Sequence, residues 1–446
     1  MTVPPAGGAD VARRRLPAYW GRNPWWIPPH LLGRIPGEVG AAELKVLGFV
    51  TFALLFEHFD TSLLGNALKY IREDLGIPES DLGYFQMLIR LGALPAFLLI
   101  PFVDRLGRRR LFLWSMVGLS LGTVATAFSQ NAVQFVACQM ITRTFVLTAS
   151  AIAVVIVAEE LPASARGWGI GMLAAVSAIG HGLGAVMFSL IEVLPYGWRA
   201  LYAMGALPLL LLPVFRRQIK ETARFQAHLA AGLDSAAAWW SPLSAFASDR
   251  PRRALGMAAL AATASLGHVV VLSFTGYFVL EYHGWEAYQL SLMVLAAGAV
   301  GVAGNVVAGR LADRIGRRLV GFVFLAVFPV GSWLFYNGPG WSLTVLWAVL
   351  VFTMMGGNVI IRALSSELFP TSHRGTSTGV LVLMETLGAA AGLFLLGTLQ
   401  QGAGQLNVLI PSISVVTVLA GLLLFLFPET RLRELEALSG SEGSAR

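Results

Sequence analysis

Twelve predominantly apolar stretches, separated by short loops, constrain this chain more than any other feature. A bilayer core about 30 Å thick needs roughly 20 apolar residues per helical span, and each stretch is close to that length. Only helices and closed barrels satisfy all their backbone groups in hydrocarbon. We therefore predict an all-α membrane protein with twelve transmembrane helices, at residues 44–70, 82–103, 111–128, 132–158, 168–191, 199–215, 254–281, 288–309, 319–336, 342–366, 376–400 and 407–427.

The composition excludes other classes of protein. Of the 446 residues, 56% are hydrophobic and only 13% are charged, whereas a soluble domain carries about 25% charged residues. This excludes a soluble enzyme and a disordered scaffold. The single cysteine, Cys138, excludes a disulfide framework and a cysteine metal cluster. We find no nucleophile–base set, metal-binding spacing or phosphate loop, so we expect no enzyme activity, cofactor or metal site.

The basic residues indicate the orientation in the membrane. The loops 104–110, 216–253 and 310–318 are basic and lie on one side of the predicted bundle, whereas one loop of the opposite side holds Glu73, Asp74, Glu79 and Asp81. Cytoplasmic loops carry an excess of Lys and Arg, so we predict that both termini are cytoplasmic. The net charge of +7 then reflects topology, and we expect no nucleic-acid partner.

An internal repeat divides the chain into two related halves. Asp104-Arg105-Leu106-Gly107-Arg108-Arg109 recurs 209 residues later as Asp313-Arg314-Ile315-Gly316-Arg317-Arg318. The pattern E-x-x-P-x-x-x-R-G, from Glu159 to Gly167, recurs from Glu367 to Gly375, and Glu221-Thr222 recurs as Glu429-Thr430. Matches at one spacing predict a duplicated bundle. We predict tails at 1–43 and 428–446, six-helix halves at 44–215 and 254–427, and a central cytoplasmic loop at 216–253.

These motifs resemble those of the major facilitator superfamily. The D-R-x-G-R-R loops after spans 2 and 8 resemble its hallmark loop, although Ile100 stands where the first copy's leading glycine belongs. The E-x-x-P-x-x-x-R-G boxes and Pro428-Glu429-Thr430 are similar to the sugar-porter and organic-ion branch. In span 1, the run from Glu57 to Thr61 is similar to the D-G-F/Y-D element of aromatic-acid:proton symporters, with Glu57 and His58 as departures. Span 7 lacks the paired glutamines of sugar porters.

The resemblance implies that spans 1, 2, 4, 5, 7, 8, 10 and 11 line a central cavity. The ionic residues fit this arrangement, because all five that lie well inside a span fall on those spans: Glu57, Asp60, Arg90, Arg143 and Glu385. Exposed to lipid they would together cost roughly 12–17 kcal/mol. We therefore expect these side chains to pair with one another or to face water inside the bundle.

Glu57 and Asp60 are three residues apart and share one helical face, and Asp60 lies at a depth similar to that of Arg90. We predict an Asp60–Arg90 pair, either as a proton-sensitive carboxylate or as a structural ion pair. Arg143 has the planar fork that binds carboxylates. It either captures an anionic substrate or neutralises Glu57 or Asp60, and the sequence leaves both open.

Four further residues are candidates for the cavity. Glu385 is a second proton site or the partner of a basic residue across the halves. His181 and His268 are possible proton acceptors near neutral pH, although neutral hydrogen bonding within the bundle is the preferred interpretation. Asn358 binds substrate or joins two helices. Arg362 lies near the inner end of span 10, where a role at a gate or at the membrane boundary is favoured.

The resemblance also implies that charged residues of the repeated motifs latch the two halves together on the cytoplasmic side. Each exposed pair contributes only about 0–1 kcal/mol, yet a network of such pairs can shift a two-state equilibrium. These gate residues are Asp104, Arg105, Arg109, Glu159 and Arg166, with the counterparts Asp313, Arg314, Arg318, Glu367 and Arg374.

Together these features predict a secondary active transporter that moves a small organic acid with protons by alternating access. We expect a monomer in the lipid bilayer, of the bacterial inner-membrane type, whose partners are a small-molecule substrate and the proton. The alternatives are a proton-coupled exporter of drugs or organic cations and a sugar-type porter. Outside transport, the alternative is a transporter-like sensor that binds a ligand without moving it.

Overall fold

The computed structural model describes residues 35–36, 39–162, 164–219, 221, 251–369, 374–400, 402 and 404–431. These residues form helices and no β-strands, and twelve helices are long and apolar enough to cross a membrane. The predicted all-α membrane fold is thereby confirmed. We number the helices α1 (Ala41–Asn66), α2 (Glu79–Leu99), α3 (Arg108–Ala127), α4 (Ala132–Glu160), α5 (Arg166–Phe188), α6 (Trp198–Gln218), α7 (Pro251–Tyr282), α8 (Ala287–Ile315), α9 (Arg317–Asn337), α10 (Gly340–Leu368), α11 (Thr376–Leu399) and α12 (Leu406–Leu426).

Two helices differ from the sequence prediction in ways that shape the site. The first span ends at Asn66 rather than at residue 70, and a separate short helix, Leu68–Leu75, follows it. α2 is interrupted by a turn over residues 92–95. Proline has no N–H to donate and its ring crowds the preceding turn, so Pro95 explains the interruption. Hydropathy alone did not detect either break. Residues 92–95 are uncharged, and Lys69 is the only charged residue among residues 66–70 at the end of the predicted first span.

The helices pack as two pseudo-symmetric halves, the N-half (α1–α6) and the C-half (α7–α12). α1 packs against α5 as α7 packs against α11, and α3 packs against α4 as α9 packs against α10. The repeated loops share a backbone conformation, because Gly107 (φ 91°, ψ 144°) and Gly316 (φ 122°, ψ 147°) both have positive φ. Glycine adopts that region without steric cost, so the repeat preserves a turn as well as charges.

The two halves are joined at one face of the bundle. We call this the outer face, following the predicted orientation, and the face at which α1 begins the inner face. Hydrogen bonds between described residues of different halves lie in the outer part: Gln86 Nε2 donates to the Ser273 carbonyl (3.1 Å), and Ser291 Oγ donates to the Ala185 carbonyl (2.6 Å). The ion pair of Arg72 with Glu281 (3.2 Å) also crosses the halves there. The bundle is therefore closed at its outer face.

Parts of the predicted organisation lie outside the described residues. They include most of the 1–43 tail, most of the 216–253 loop and most of the 428–446 tail. The described chain leaves the N-half after α6, which ends at Gln218, and enters the C-half at Pro251.

Candidate functional site

A cavity of about 350 Å³ lies between the two halves. Small-molecule sites enclose about 300–1,000 Å³, so this cavity suits a compact solute. Its walls come from α2 and α4 of the N-half and from α7, α10 and α11 of the C-half. The resemblance also implied lining residues from α1, α5 and α8, but none of the residues that line this cavity belongs to these three helices. The polar residues on the walls are Arg90, Arg143, Ser265, His268, Asn358, Arg362, Glu385 and Thr386.

A close approach of α2 and α4 places two arginines on the N-half wall. A Cβ built on Gly92 would lie 2.4 Å from the Cα of Met140, so only glycine permits this contact. Thr144 Oγ1 donates to the Gly92 carbonyl at 2.6 Å. Arg90 and Arg143 flank this contact, line the cavity together and interact electrostatically. Two cations side by side favour an anion between or in front of them.

Two buried carboxylates lie behind Arg143 on α1. Glu57 is 5% exposed and Asp60 is 1% exposed, and both interact electrostatically with Arg143. Ser150 Oγ donates to Glu57 Oε1 (2.5 Å) and Thr123 Oγ1 donates to Asp60 Oδ1 (3.1 Å). The second oxygen of each carboxylate has no hydrogen-bond partner within the described part of the chain.

Arg143 is held in this cluster by α1 itself. Its Nη1 donates to Thr61 Oγ1 at 2.9 Å, and Thr61 Oγ1 in turn donates to the Glu57 carbonyl at 3.1 Å. One guanidinium therefore faces two carboxylates across α1 and α4. Burying an unbalanced charge is costly, and Arg90, which interacts electrostatically with Arg143, supplies the second positive charge that balances the two carboxylates.

The predicted Asp60–Arg90 pair is not formed. Asp60 is directed toward α3 and α4, where Thr123 and Arg143 lie, and no ion pair between described residues joins it to Arg90. The prediction rested on the similar depth of the two residues in the membrane. The partner of a side chain also depends on the direction in which it leaves its helix, and depth does not give that direction. Arg90 instead faces the cavity without a hydrogen-bonded partner among the described residues.

The C-half wall carries an ion pair within that half. Arg362 Nη2 lies 3.4 Å from Glu385 Oε2, and the two side chains are 56% and 27% exposed. Among the described residues, Glu385 therefore forms its ion pair within the C-half, whereas one of its two predicted roles was a pair across the halves. Asn358 also lines the cavity. His268 lines it while 4% exposed, and its ring packs edge-on against Phe328 with 4.5 Å between ring centroids.

His181 lies away from this cavity. It is not among the lining residues, and it interacts electrostatically with His58 of α1. His58 Nδ1 lies 3.1 Å from the Leu54 carbonyl, which is the pattern of a histidine bonded within its own helix. His181 is therefore not part of the cavity wall that carries Arg90 and Arg143.

The repeated motifs make matching contacts inside each half. Arg108 Nη2 lies 3.1 Å from Glu159 Oε1, and its counterpart Arg317 Nη2 lies 2.6 Å from Glu367 Oε1. These contacts lie within one half, and the latch between the two halves stays a prediction.

Among the remaining predicted gate residues, Arg109 and Arg318 also make matching contacts. The Arg109 N–H donates to Glu221 Oε1 (3.2 Å) as the Arg318 N–H donates to Glu429 Oε2 (3.2 Å). Asp313 approaches Arg317 of the next helix at 3.5 Å, Arg314 is exposed, and the Arg166 Nε has no partner within the described residues. The side chains of Asp104, Arg105 and Arg374 lie outside the described part.

Sequence reasoning missed three important residues. Arg108 and Arg317 are the arginines that pair with the motif glutamates, and the repeat contained both. Glu79 was noted only as an acidic residue of an outer loop. In the structure it is 8% exposed and accepts hydrogen bonds from Tyr277 (3.0 Å), Tyr282 (2.8 Å) and Gln400 (3.2 Å) of the other half.

Comparison with known families agrees with this architecture. The sequence model of the Major Facilitator Superfamily matches residues 50–393, with a further match over 278–442. The chain belongs to this superfamily. The doubled six-helix bundle with a cavity between its halves is consistent with this membership, and the relatives below are transporters.

Curated members of the superfamily resemble the chain over nearly its whole length. The gallate transporter of Pseudomonas putida is 24% identical over 431 residues, which cover 90% of this chain and 95% of that protein. The 3-(3-hydroxy-phenyl)propionate transporter of Escherichia coli is 26% identical, covering 90% and 98%. The crystal structure of a D-xylose-proton symporter superposes with a TM-score of 0.70 at 19% identity, covering 87% of this chain and 98% of that one. That likeness concerns the fold alone.

Proposed function

We propose that this transporter carries a small organic acid together with a proton by alternating access. The observation that carries the proposal is the N-half charge cluster: Arg90 and Arg143 line the cavity while Glu57 and Asp60 lie buried behind Arg143. The cluster combines a site for an anion with a site for a proton. Relatives that carry gallate and 3-(3-hydroxy-phenyl)propionate support an organic, aromatic acid as the substrate.

The arginines supply the selectivity for anions. A guanidinium binds a carboxylate through two parallel hydrogen bonds, and Arg90 faces the cavity with no hydrogen-bonded partner among the described residues. A substrate carboxylate at Arg90 and Arg143 satisfies both cations. The same charges repel a cationic drug, which disfavours the exporter alternative.

The buried carboxylates supply the coupling. A substrate anion bound at Arg143 shares the positive charge that neutralises Glu57 and Asp60. The site then has an excess of negative charge, and a proton on one of the two carboxylates removes that excess. By linkage, a bound proton favours substrate binding to the same degree. One proton carried with one monoanion moves no net charge. The pH gradient then drives uptake at about 1.36 kcal/mol per pH unit, whereas the membrane potential contributes nothing.

The experiment is uptake of radiolabelled 3-(3-hydroxyphenyl)propionate and gallate into proteoliposomes. The pH gradient is imposed by buffer exchange, and the potential is set independently with valinomycin and potassium. We expect accumulation that follows the pH gradient and is insensitive to the potential. Strong voltage dependence without a pH effect refutes 1:1 symport, and binding without flux supports the sensor alternative.

The variants E57Q and D60N test the coupling separately from binding. At least one of them is expected to abolish pH-driven accumulation while retaining substrate exchange at equal pH on both sides, because exchange needs no net proton movement. E192Q is the matched control, because Glu192 is an exposed carboxylate on the outer face that accepts a hydrogen bond from the Tyr70 hydroxyl. If both variants accumulate substrate like the wild type, these carboxylates are not the proton site.

The orientation and assembly are part of the same proposal. The basic loops support cytoplasmic termini, and the closed outer face together with the cavity then corresponds to an inward-facing carrier. We propose that a single chain, divided at 44–215 and 254–427, is the transporting unit. Labelling of cysteines introduced at the two faces in intact cells tests the orientation.

A further inference from the structure

The two walls of the cavity differ in charge. The N-half wall presents Arg90 and Arg143, both cationic, and the carboxylates that balance Arg143 lie outside the lining set. The C-half wall presents Arg362 and Glu385 as an ion pair, together with the neutral Asn358. A solute in the cavity therefore meets a cationic wall on one side and a wall of no net charge on the other.

The pair on the C-half wall is available to a ligand. Its 3.4 Å separation is longer than the 2.7–2.9 Å of a strong charge-assisted hydrogen bond, and both side chains are partly exposed. Glu385 offers an acceptor and Arg362 offers donors at nearly the same point. A hydroxyl group can donate to one and accept from the other, and so it fits this pair without breaking it.

A second carboxylate on the solute does not fit this wall. It meets the donors of Arg362 but also the charge of Glu385, and like charges at close range repel each other. A ring that lacks the hydroxyl also binds less well, because it covers the two polar groups without replacing the water that they lose. The C-half wall thus disfavours both a second carboxylate and a ring without a hydroxyl group.

We propose that the Arg362–Glu385 pair is the specificity-determining element of this carrier and selects monoanionic acids with a hydroxyl group at the end opposite the carboxylate. The carboxylate binds at Arg90 and Arg143, and the hydroxyl bridges Glu385 and Arg362. The inference rests on the proposed function and adds the feature that separates hydroxy acids from unsubstituted acids and from dicarboxylic acids.

The test is isothermal titration calorimetry of the full chain in lipid nanodiscs at one pH. The probes share one ring: benzoate, 3- and 4-hydroxybenzoate, isophthalate and terephthalate. For the wild type we expect one of the hydroxybenzoates to bind at least tenfold more tightly than benzoate, and both dicarboxylates to bind more weakly than benzoate. In E385Q the dicarboxylates should gain at least tenfold relative to benzoate, whose Kd changes less than threefold.

Other variants separate this role from a structural one. R362Q should reduce the preference for hydroxybenzoate over benzoate to less than threefold, whereas R90Q should weaken all the probes together. R110Q is the matched arginine control, because Arg110 is exposed at the inner end of α3, and it should bind like the wild type. If the single variants fail to fold, the exchanged pair R362E/E385R, which keeps the ion pair, should retain the wild-type ranking.

The outcomes separate the two proposals. If the wild type binds none of these acids, the proposed function is wrong and this inference falls with it. If benzoate binds but the wild type takes dicarboxylates as tightly as hydroxybenzoates, only the role of the ion pair is overturned. The same holds if E385Q changes the affinity for every probe equally.

Discussion

Glu79 joins the two halves at the closed outer face, and its removal should open that face. The carboxylate belongs to the start of α2, yet its hydrogen-bond donors belong to the C-half: Tyr277 and Tyr282 of α7, Gln400 after α11 and the Gly404 N–H. It is 8% exposed. When the outer face opens, these donors separate from Glu79, so the interaction stabilises only the closed arrangement.

The size of the effect follows from the hydrogen bonds. A hydrogen bond to a charged group contributes about 1.5–3 kcal/mol net. The change E79Q keeps the shape and one acceptor oxygen but removes the charge, so we expect the closed arrangement to lose the equivalent of one such bond, about 1.5–3 kcal/mol. Since a factor of ten corresponds to about 1.4 kcal/mol, the closed-to-open ratio should fall roughly 10- to 140-fold.

The matched control is Glu281, an acidic residue on the same face. It pairs with Lys69 (3.3 Å) and Arg72 (3.2 Å), and these side chains are 24–29% exposed. Solvent screens such pairs, which contribute at most about 1 kcal/mol. E281Q should therefore change the closed-to-open ratio less than about fivefold.

The assay is electron–electron double resonance between two spin labels on the outer face. Cys138 is the only cysteine, so C138A gives a background for labels at V133C and W341C, which replace exposed residues near the starts of α4 and α10. In E79Q we expect a longer distance to become the major population, and in E281Q we expect the wild-type distribution. A wild-type distribution in E79Q, or equal changes in both variants, refutes the assignment of Glu79 as the outer contact.

Three further predictions concern the site and the inner face. In G92A the new Cβ meets the Met140 backbone at 2.4 Å, so we expect a loss of about 1–3 kcal/mol of stability and weaker binding of acids. The control G171A, whose new Cβ has nothing within 4 Å, should have the melting temperature of the wild type. R317A should lower the melting temperature yet leave the distance between spin labels on the inner ends of α3 and α7 unchanged, because Arg317 pairs with Asp313 and Glu367 of its own half. A changed distance would show that this arginine also joins the halves. Burial raises the pKa of the Glu429 carboxyl, but hydrogen bonds from the Arg317, Arg318, Arg431 and Thr430 N–H groups outweigh this effect and leave the pKa below its usual 4.5. The contribution of Glu429 to stability is therefore present above pH 4.5 and disappears as the pH falls through the lowered pKa. Between pH 7 and pH 3 the melting temperature should fall less for E429Q than for the wild type.

The helical architecture and the duplication could be predicted from the order of residues along the chain. A bilayer requires spans of about 20 apolar residues whose backbone groups are satisfied within each helix, so the twelve helices could be read from composition along the chain. The doubled loops at Gly107 and Gly316 identified the two halves. The ionic residues inside the spans identified Arg90, Arg143, Glu57 and Asp60 as site candidates, because such residues are too costly to expose to lipid.

Which of these residues meet depends on how the helices pack against one another. Hydropathy specifies where a helix crosses the membrane but not which way each side chain faces, and that direction depends on close packing such as the contact of Gly92 with Met140. Asp60 consequently meets Thr123 and Arg143 rather than Arg90, and Glu385 meets Arg362 of its own half. Glu79 is buried only because the outer ends of the two halves close over it, and that closure joins segments about 200 and 320 residues apart in the chain.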